Sequence, residues 1–165
     1  MRLQTSLPLI SANAIVLEAL TLGRKASLLP LTVVVLDAGG KLVATQSEDG
    51  SGLTRFDIAY GKAYGALGMG ISSRLIRDRL SERPAFQNAI AAASDGRFIP
   101  VPGGVLVETA EGITLGAVGI SGDTSDKDEY CAIEAIKSAG YAPEPAEPNP
   151  NWRTSSLSDH YPASS

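Results

Sequence analysis

The sequence predicts an α+β fold, an antiparallel sheet with helices packed on it, and two observations carry that prediction. Segments of strand character are joined by turn signals of the hairpin kind: "LTVVVLD" and "LVATQS" by "DAGGK", and the halves of "VLVETAEGITLGAVGIS" by Ala110-Glu111-Gly112. Segments of helical periodicity fall before, between and after them, giving the order helix, two strands, two or three helices, three strands, helix. The 165 residues, 44% hydrophobic and 19% charged, suit one domain with a single core.

Taken in order, the first helix is read from Ile10, Ala14, Leu17 and Thr21, with Val16 and Leu20 beside them, as an apolar face packed on the core. "LTVVVLD" lacks alternation, as a strand covered on both faces does, whereas "LVATQS" alternates. From Thr54 to Met69 small residues recur at helical steps: Ala59, Ala63, Ala66 and Gly61, Gly65, Gly68. Each glycine inside a helix costs about 1 kcal/mol relative to alanine, so a close backbone contact is expected to offset them. Ser72 or Ser73 caps a helix through "RLIRDRLSER", and a shorter one over "PAFQNAIAAAS" ends at Asp95-Gly96.

"PVPGG" then makes a corner between two extended segments. Pro102-Gly103 suits a type II turn, because proline presets the first φ and glycine accepts a positive second one. Gly103 and Gly104 also have no side chains to cover their backbone, so the corner is a candidate surface for a ligand. The last helix runs through "KDEYCAIEAIKSAG" with Gly140 at its C′ position. Ser125 with Asp128, or Asp126 with Glu129, has the spacing of a capping box. The acidic run from Asp123 to Glu129 lacks the alternation and distal glutamate of a calcium loop, so no metal is expected.

Charge and cysteine usage exclude several classes. A net charge of -4, with basic residues gathered only at Arg74, Arg77, Arg79 and Arg83, argues against nucleic acid as a partner. Cys131 is the one cysteine, so no disulfide closes within the chain, which suits a reducing cytoplasm. "LPLISANAIVLEALTLG" is interrupted by Asn13 and Glu18; it reads as an amphipathic helix rather than a cleaved signal, and is too polar to cross a membrane.

Beyond Tyr141 the composition shifts, and "APEPAEPNPNWRTSSLSDHYPASS" holds half of the chain's ten prolines. The division expected is a domain over 1–141 and a Pro-rich tail or arm over 142–165. Trp152 and Tyr161 favour an arm, anchored to the domain or to a neighbouring subunit.

Four stretches, "VVVLDAGGKLVATQSEDG", "DIAYGKAYGA", "PVPGGVLV" and "LGAVGISGDTSDKDEYCA", resemble in order and spacing the GlcG/HbpS-like family, which includes the C-terminal domain of PduO-type corrinoid proteins. The resemblance covers about residues 9–141. It implies a profilin-like fold, a five-stranded antiparallel sheet flanked by helices, assembled as a homo-oligomer from dimer to octamer. It also implies association with haem or corrinoid, or with the use of small organic acids and diols; a reaction must still be argued from the site.

Lys62 is a single long cation in a helix of small residues, and Ile58 and Ala59, one turn before it, offer no acid. That leaves it to face an anion, and the matching family motif keeps a lysine there. Asp57 caps the helix or orients a polar ligand. The family's glycine pair corresponds to Gly103 and Gly104, facing the same end of the sheet as the segment Gly119 to Gly122, with Ser121 and Asp123 as the nearest polar side chains. Together they would make a small anion-binding concavity. Ser121 is no nucleophile, since the only histidine, His160, lies in the tail. For the same reason axial ligation of haem, a possible cofactor, would fall to Tyr60, Tyr64, Tyr130, Met69, Cys131 or His160, or to no strong ligand. Cys131, mid-helix, reads as a small core residue instead.

The leading expectation is thus an oligomeric, cytoplasmic small-molecule-binding protein. Lys62, Gly103, Gly104, Gly119, Ser121, Gly122 and Asp123 would shape a pocket for a carboxylate-bearing ligand, either a tetrapyrrole or a small organic acid. The alternatives are a lyase, isomerase or hydratase of such an acid, with Lys62 or Asp57 as acid/base, and a scaffold whose role is assembly alone.

Overall fold

Five antiparallel strands in the order β2-β1-β4-β3-β5 form the sheet of the computed structural model, which describes residues 4–157. Along the chain come α1 (Leu9–Lys25), β1 (Thr32–Asp37), β2 (Leu42–Ser47), α2 (Arg55–Met69), α3 (Ser73–Leu80) and α4 (Pro84–Ala93). They are followed by β3 (Gly104–Glu108), β4 (Thr114–Ser121), α5 (Ser125–Ser138), β5 (Ala142–Glu144) and a single 3-10 turn, Trp152–Thr154. This is the α+β, profilin-like arrangement expected, with one element displaced. Residues 97–100 form no strand, and the fifth strand follows α5 instead. Phe98 and Ile99 lie along α2, held by the Ile99 N–H donating to the Gly61 carbonyl at 3.3 Å, so they are not available to the sheet.

The sheet is covered on both faces, which explains the unbroken apolar run of β1. Val33, Val35, Val105, Val107, Val118 and Ile120 face α1 and α5, while Val34, Leu36, Leu106 and Ala117 face α2. Helix α1 is rotated from the expected face. Ala12, Ile15, Val16, Ala19 and Gly23 are buried, whereas Ile10 is 80% exposed and Leu17 57%. Two stripes of α1 share the same period, and the core selects the one with small residues. A Cβ at Gly23 would lie 2.6 Å from Leu31, so only a thin face fits against the loop into β1.

The small residues of α2 have the purpose predicted for them: they bring two backbones together. A Cβ at Gly119 would stand 1.9 Å from the Ala59 carbonyl oxygen, and one at Gly104 2.3 Å from that of Lys62. Helix and sheet therefore touch backbone to backbone through glycines supplied by the strands, while the helix glycines Gly61 and Gly65 make room for Ile99 and Phe98. Ser72 is the N-cap of α3, its hydroxyl accepting from the Leu75 N–H at 3.4 Å. No helix among the described residues is long and apolar enough to cross a membrane.

The segment after Tyr141 belongs to this fold as far as Leu157. Strand β5 pairs with β3, Leu106 opposite Glu144, and Trp152 is 7% exposed, its ring stacked on Tyr130 with centroids 3.7 Å apart. The boundary drawn at 141/142 thus falls at the start of a sheet strand. Proline density concealed it, because prolines suit an edge strand whose outer N–H groups need no partner. His160 and Tyr161 lie outside the described residues.

Candidate functional site

Lys62 is 2% exposed and has the partner its own helix lacks. Its Nζ donates to Asp128 Oδ2 at 3.0 Å and to the Ile120 carbonyl at 2.8 Å, joining α2, β4 and α5. The expectation that it stands free to face an anion is thereby corrected: the acid comes from a helix 66 positions away, beyond the reach of i to i+4 reasoning. Asp128 also accepts from the Asp123 N–H at 3.1 Å. Burial pushes the Asp128 carboxyl up, with the Lys62 ammonium opposing that shift. The capping-box reading of Asp128 is replaced as well, since Thr124 is the N-cap, accepting from the Lys127 N–H.

Gly103 and Gly104 pack directly against Lys62 and are closed by it. At Gly103, where φ is 115°, a Cβ would meet Lys62 Nζ at 2.9 Å, and the Gly104 N–H donates to Ser73 Oγ at 2.7 Å. The PVPGG corner therefore does not present the Gly104 N–H to a ligand. Gly122 backs onto the Pro30 carbonyl, where a Cβ would stand 2.4 Å away. Ser121 Oγ accepts from Arg55 Nη1 at 3.2 Å. Asp123 accepts from the Leu29 N–H at 2.9 Å, the Thr124 N–H at 2.7 Å and Lys127 Nζ at 3.2 Å. Burial pushes the Asp123 carboxyl up, but these donors outweigh it and hold the group below the ordinary carboxylate value. Of the seven expected pocket residues, Lys62, Gly103, Gly104, Gly119 and Ser121 meet in the packed seam under α2, whereas Gly122 and Asp123 pack against the loop before β1.

Asp57 stands elsewhere, on the outer face of α2. It lines an open cleft of about 400 Å³ with Phe56, Tyr60, Asp95, Gly96 and Arg97. Phe56, Tyr60 and Tyr64 succeed one another at helical steps of four, with ring centroids 5.9 and 5.8 Å apart, the second pair stacked at 19°. Arg97 lies over Tyr64, its guanidinium carbon 4.4 Å from the ring centroid. Its Nε donates to the Ser94 carbonyl at 2.7 Å, while Nη2 is 4.0 Å from Asp95 Oδ2, the outer limit of an ion pair. An aromatic wall, two acids, Asp57 and Asp95, and one loosely paired cation converge on the same recess. Sequence reasoning singled out Asp57, Tyr60 and Tyr64 for separate reasons. The 56/60/64 stripe was the available signal for the wall; Arg97 had none, being brought there by the bend after α4.

The candidate haem ligands divide by burial. Cys131 is fully buried, and that burial pushes its thiol well up, so it offers no thiolate. Tyr130 is covered by Trp152. Tyr60 and Tyr64 are at the outer face of α2, and Met69, 37% exposed, lines a recess beside Tyr64. No histidine occurs among the described residues.

The family model for "Haem degrading protein HbpS-like" matches residues 7–137. Among solved structures, the chain resembles a complex of PduOC with heme (TM-score 0.73, 22% identity, covering 82% of this chain and 96% of that one). It also resembles Klebsiella pneumoniae protein ORFY (TM-score 0.75, 23% identity, 85% and 94% covered). A third is a double mutant of HbpS from Streptomyces reticuli (TM-score 0.70, 24% identity, 84% and 90% covered). At these identities the likeness is one of fold. Among curated proteins, none matches the chain.

Proposed function

The chain belongs to the HbpS-like family, and from that premise we propose that it is a self-associating small-molecule-binding protein whose ligand has a flat, apolar body and a carboxylate. The observation that carries this reading is the outer cleft of α2, where Arg97 lies over Tyr64 beside the Phe56–Tyr60 wall. A planar ring stacks on aromatic faces, and a guanidinium is suited to pair with a carboxylate. A haem with its propionates and a smaller organic acid share that chemistry. The fold relatives of this chain include a protein solved with heme, which favours the tetrapyrrole. For haem, Tyr60, which lines the cleft, and Tyr64, whose ring lies under Arg97, are the candidate phenol donors, and Arg97 is the propionate partner. When bound there, haem would supply redox and ligand-exchange chemistry.

In this reading Lys62, Gly103, Gly104, Gly119, Ser121, Gly122 and Asp123 act on the ligand indirectly. Those in the seam fix the depth at which α2 lies on the sheet, and so the orientation of its outer face. Self-association is supported by the apolar stripe that α1 turns outward, with Leu9, Ile10 and Leu17 all more than half exposed. Catalysis on a small acid remains a second reading because Asp57 lines the same cleft within the span of a bound substrate.

The test is a titration of the purified protein with haemin, with the haemin dimethyl ester and with a panel of small carboxylic acids, followed by absorbance, calorimetry and native mass spectrometry. The expected outcome is binding that weakens by about tenfold or more in Arg97→Ala and in the ester alike, the loss of a charge-assisted contact. Unchanged affinity in Arg97→Ala overturns the assignment of the cleft. Turnover of an acid that stops in Asp57→Asn while binding persists favours the enzyme.

A further inference from the structure

Residues 142–155 form a strap along α5, and one of the side chains that holds it, Arg74, also touches the buried Glu129. Arg74 Nη2 donates to the Glu147 carbonyl at 2.7 Å, and Lys137 Nζ lies 3.0 Å from the Glu147 carboxylate. Asn149 Nδ2 donates to Asp126 at 3.2 Å, and Glu144 accepts from both the N–H and the hydroxyl of Ser72. Trp152 and Ser155 close the far end on Tyr130 and Thr124.

Among these contacts stands Glu129, 1% exposed, whose two carboxylate oxygens accept no hydrogen bond from any described residue. Arg74 Nε is 2.9 Å from Oε1 but out of line for a hydrogen bond, so the contact is one of charge alone. The charged groups that act on Glu129 are Arg74 and Arg77 of α3, Asp126 of its own helix and Glu144 of β5. Three of them, Arg74, Asp126 and Glu144, hold or belong to the strap. A buried carboxylate without directed donors is costly when ionised, and lifting the strap would give it water.

We propose that Glu129 is a proton-operated latch on the strap: neutral, it lies beneath the docked strap, and ionised, it favours the strap raised. Burial, opposed by Arg74, pushes the Glu129 carboxyl up from the ordinary 4.5 to about 7. The docked state therefore holds the proton more tightly than a raised state in which Glu129 meets solvent. Docking is strongest below the ordinary value, weakens as pH rises toward 7 and changes no further above it. What the raised strap uncovers is the edge of β3, which β5 otherwise pairs. Proton concentration thereby sets how often that edge is open.

The measurement is amide hydrogen exchange on the full chain, corrected for the intrinsic pH dependence of exchange, comparing the amides of Leu106–Glu108 and of Ala142 and Glu144 with those of Val33–Val35. Protection of the first two groups is expected to be roughly 30-fold lower at pH 8 than at pH 5.5, with β1 unchanged. Glu129→Gln removes that dependence. Asp126→Asn, which takes away a charge that raises the Glu129 carboxyl, moves the transition to lower pH and keeps the test open if Glu129→Gln does not fold. Because a free imidazole changes charge in this range, His160→Gln is run in parallel and is expected to behave as the wild type. Wild-type protection that does not change with pH overturns the proposal. So does a pH dependence that survives Glu129→Gln or disappears in His160→Gln.

Discussion

Lys62 Nζ and Asp128 Oδ2, 66 positions apart in the chain, meet at 3.0 Å with both side chains at most 2% exposed. An ion pair so placed is weak as a source of net stability, because removing two charges from water costs about what their attraction returns. It is strong as a constraint, because either charge alone is intolerable there. Lys62→Met and Asp128→Leu are each expected to destabilise the fold by about 3–5 kcal/mol, and the double variant to recover most of the loss. Denaturant unfolding of the four proteins measures this. Additive losses would show that the two groups do not act as a pair.

Two glycines, one inside the contact of α2 with the sheet and one on the exposed side of α2, make a contrasting pair. Gly119→Ala places a methyl 1.9 Å from the Ala59 carbonyl, a backbone atom that cannot rotate away, and is expected to cost about 3 kcal/mol or more. Gly68→Ala, in exposed α2 with nothing within 4 Å of the new methyl, is expected to stabilise by about 0.5–1 kcal/mol. Calorimetry distinguishes them, since each kcal/mol moves Tm by about 2–4 °C in a chain of this size. Equal shifts would mean that α2 slides on the sheet.

What the sequence made legible follows from how local each signal is. The valine run of β1, the hairpin turns and the small residues of α2 are short-range patterns, and each produced the element expected of it. The buried face of α1 was ambiguous because two stripes obey one period, and only tertiary packing separates them. Strand β5 was concealed by prolines that an edge position tolerates. The site divided along the same line: Asp57, Tyr60 and Tyr64 lie on one helix and could be named together, but Arg97 and the acid opposite Lys62 are joined to α2 only by the fold.

Cys131 gives a probe of the interior that needs no substitution. Burial, with Asp128 as a further contribution, holds its thiol far above the ordinary value, and the side chain is fully covered. Native protein at pH 8 is expected to take up no iodoacetamide on the timescale in which unfolded chain is fully alkylated. The mass added per chain, followed by mass spectrometry through a denaturant series, should appear only with global unfolding. Labelling well before that point would reveal an opening of the seam between α1 and α5.

Strand β5 is the outermost strand beside β3, yet it follows α5 in the chain. A chain growing from the ribosome can therefore assemble β1–β4 and α1–α5 while β3 still offers a bare row of backbone donors and acceptors. The stretch that follows α5 must compete with any other extended segment, including the same stretch from a neighbouring nascent chain, for that row. Its prolines then acquire a protective meaning: they let residues 142–145 finish the sheet while leaving an outer margin that cannot recruit a further strand.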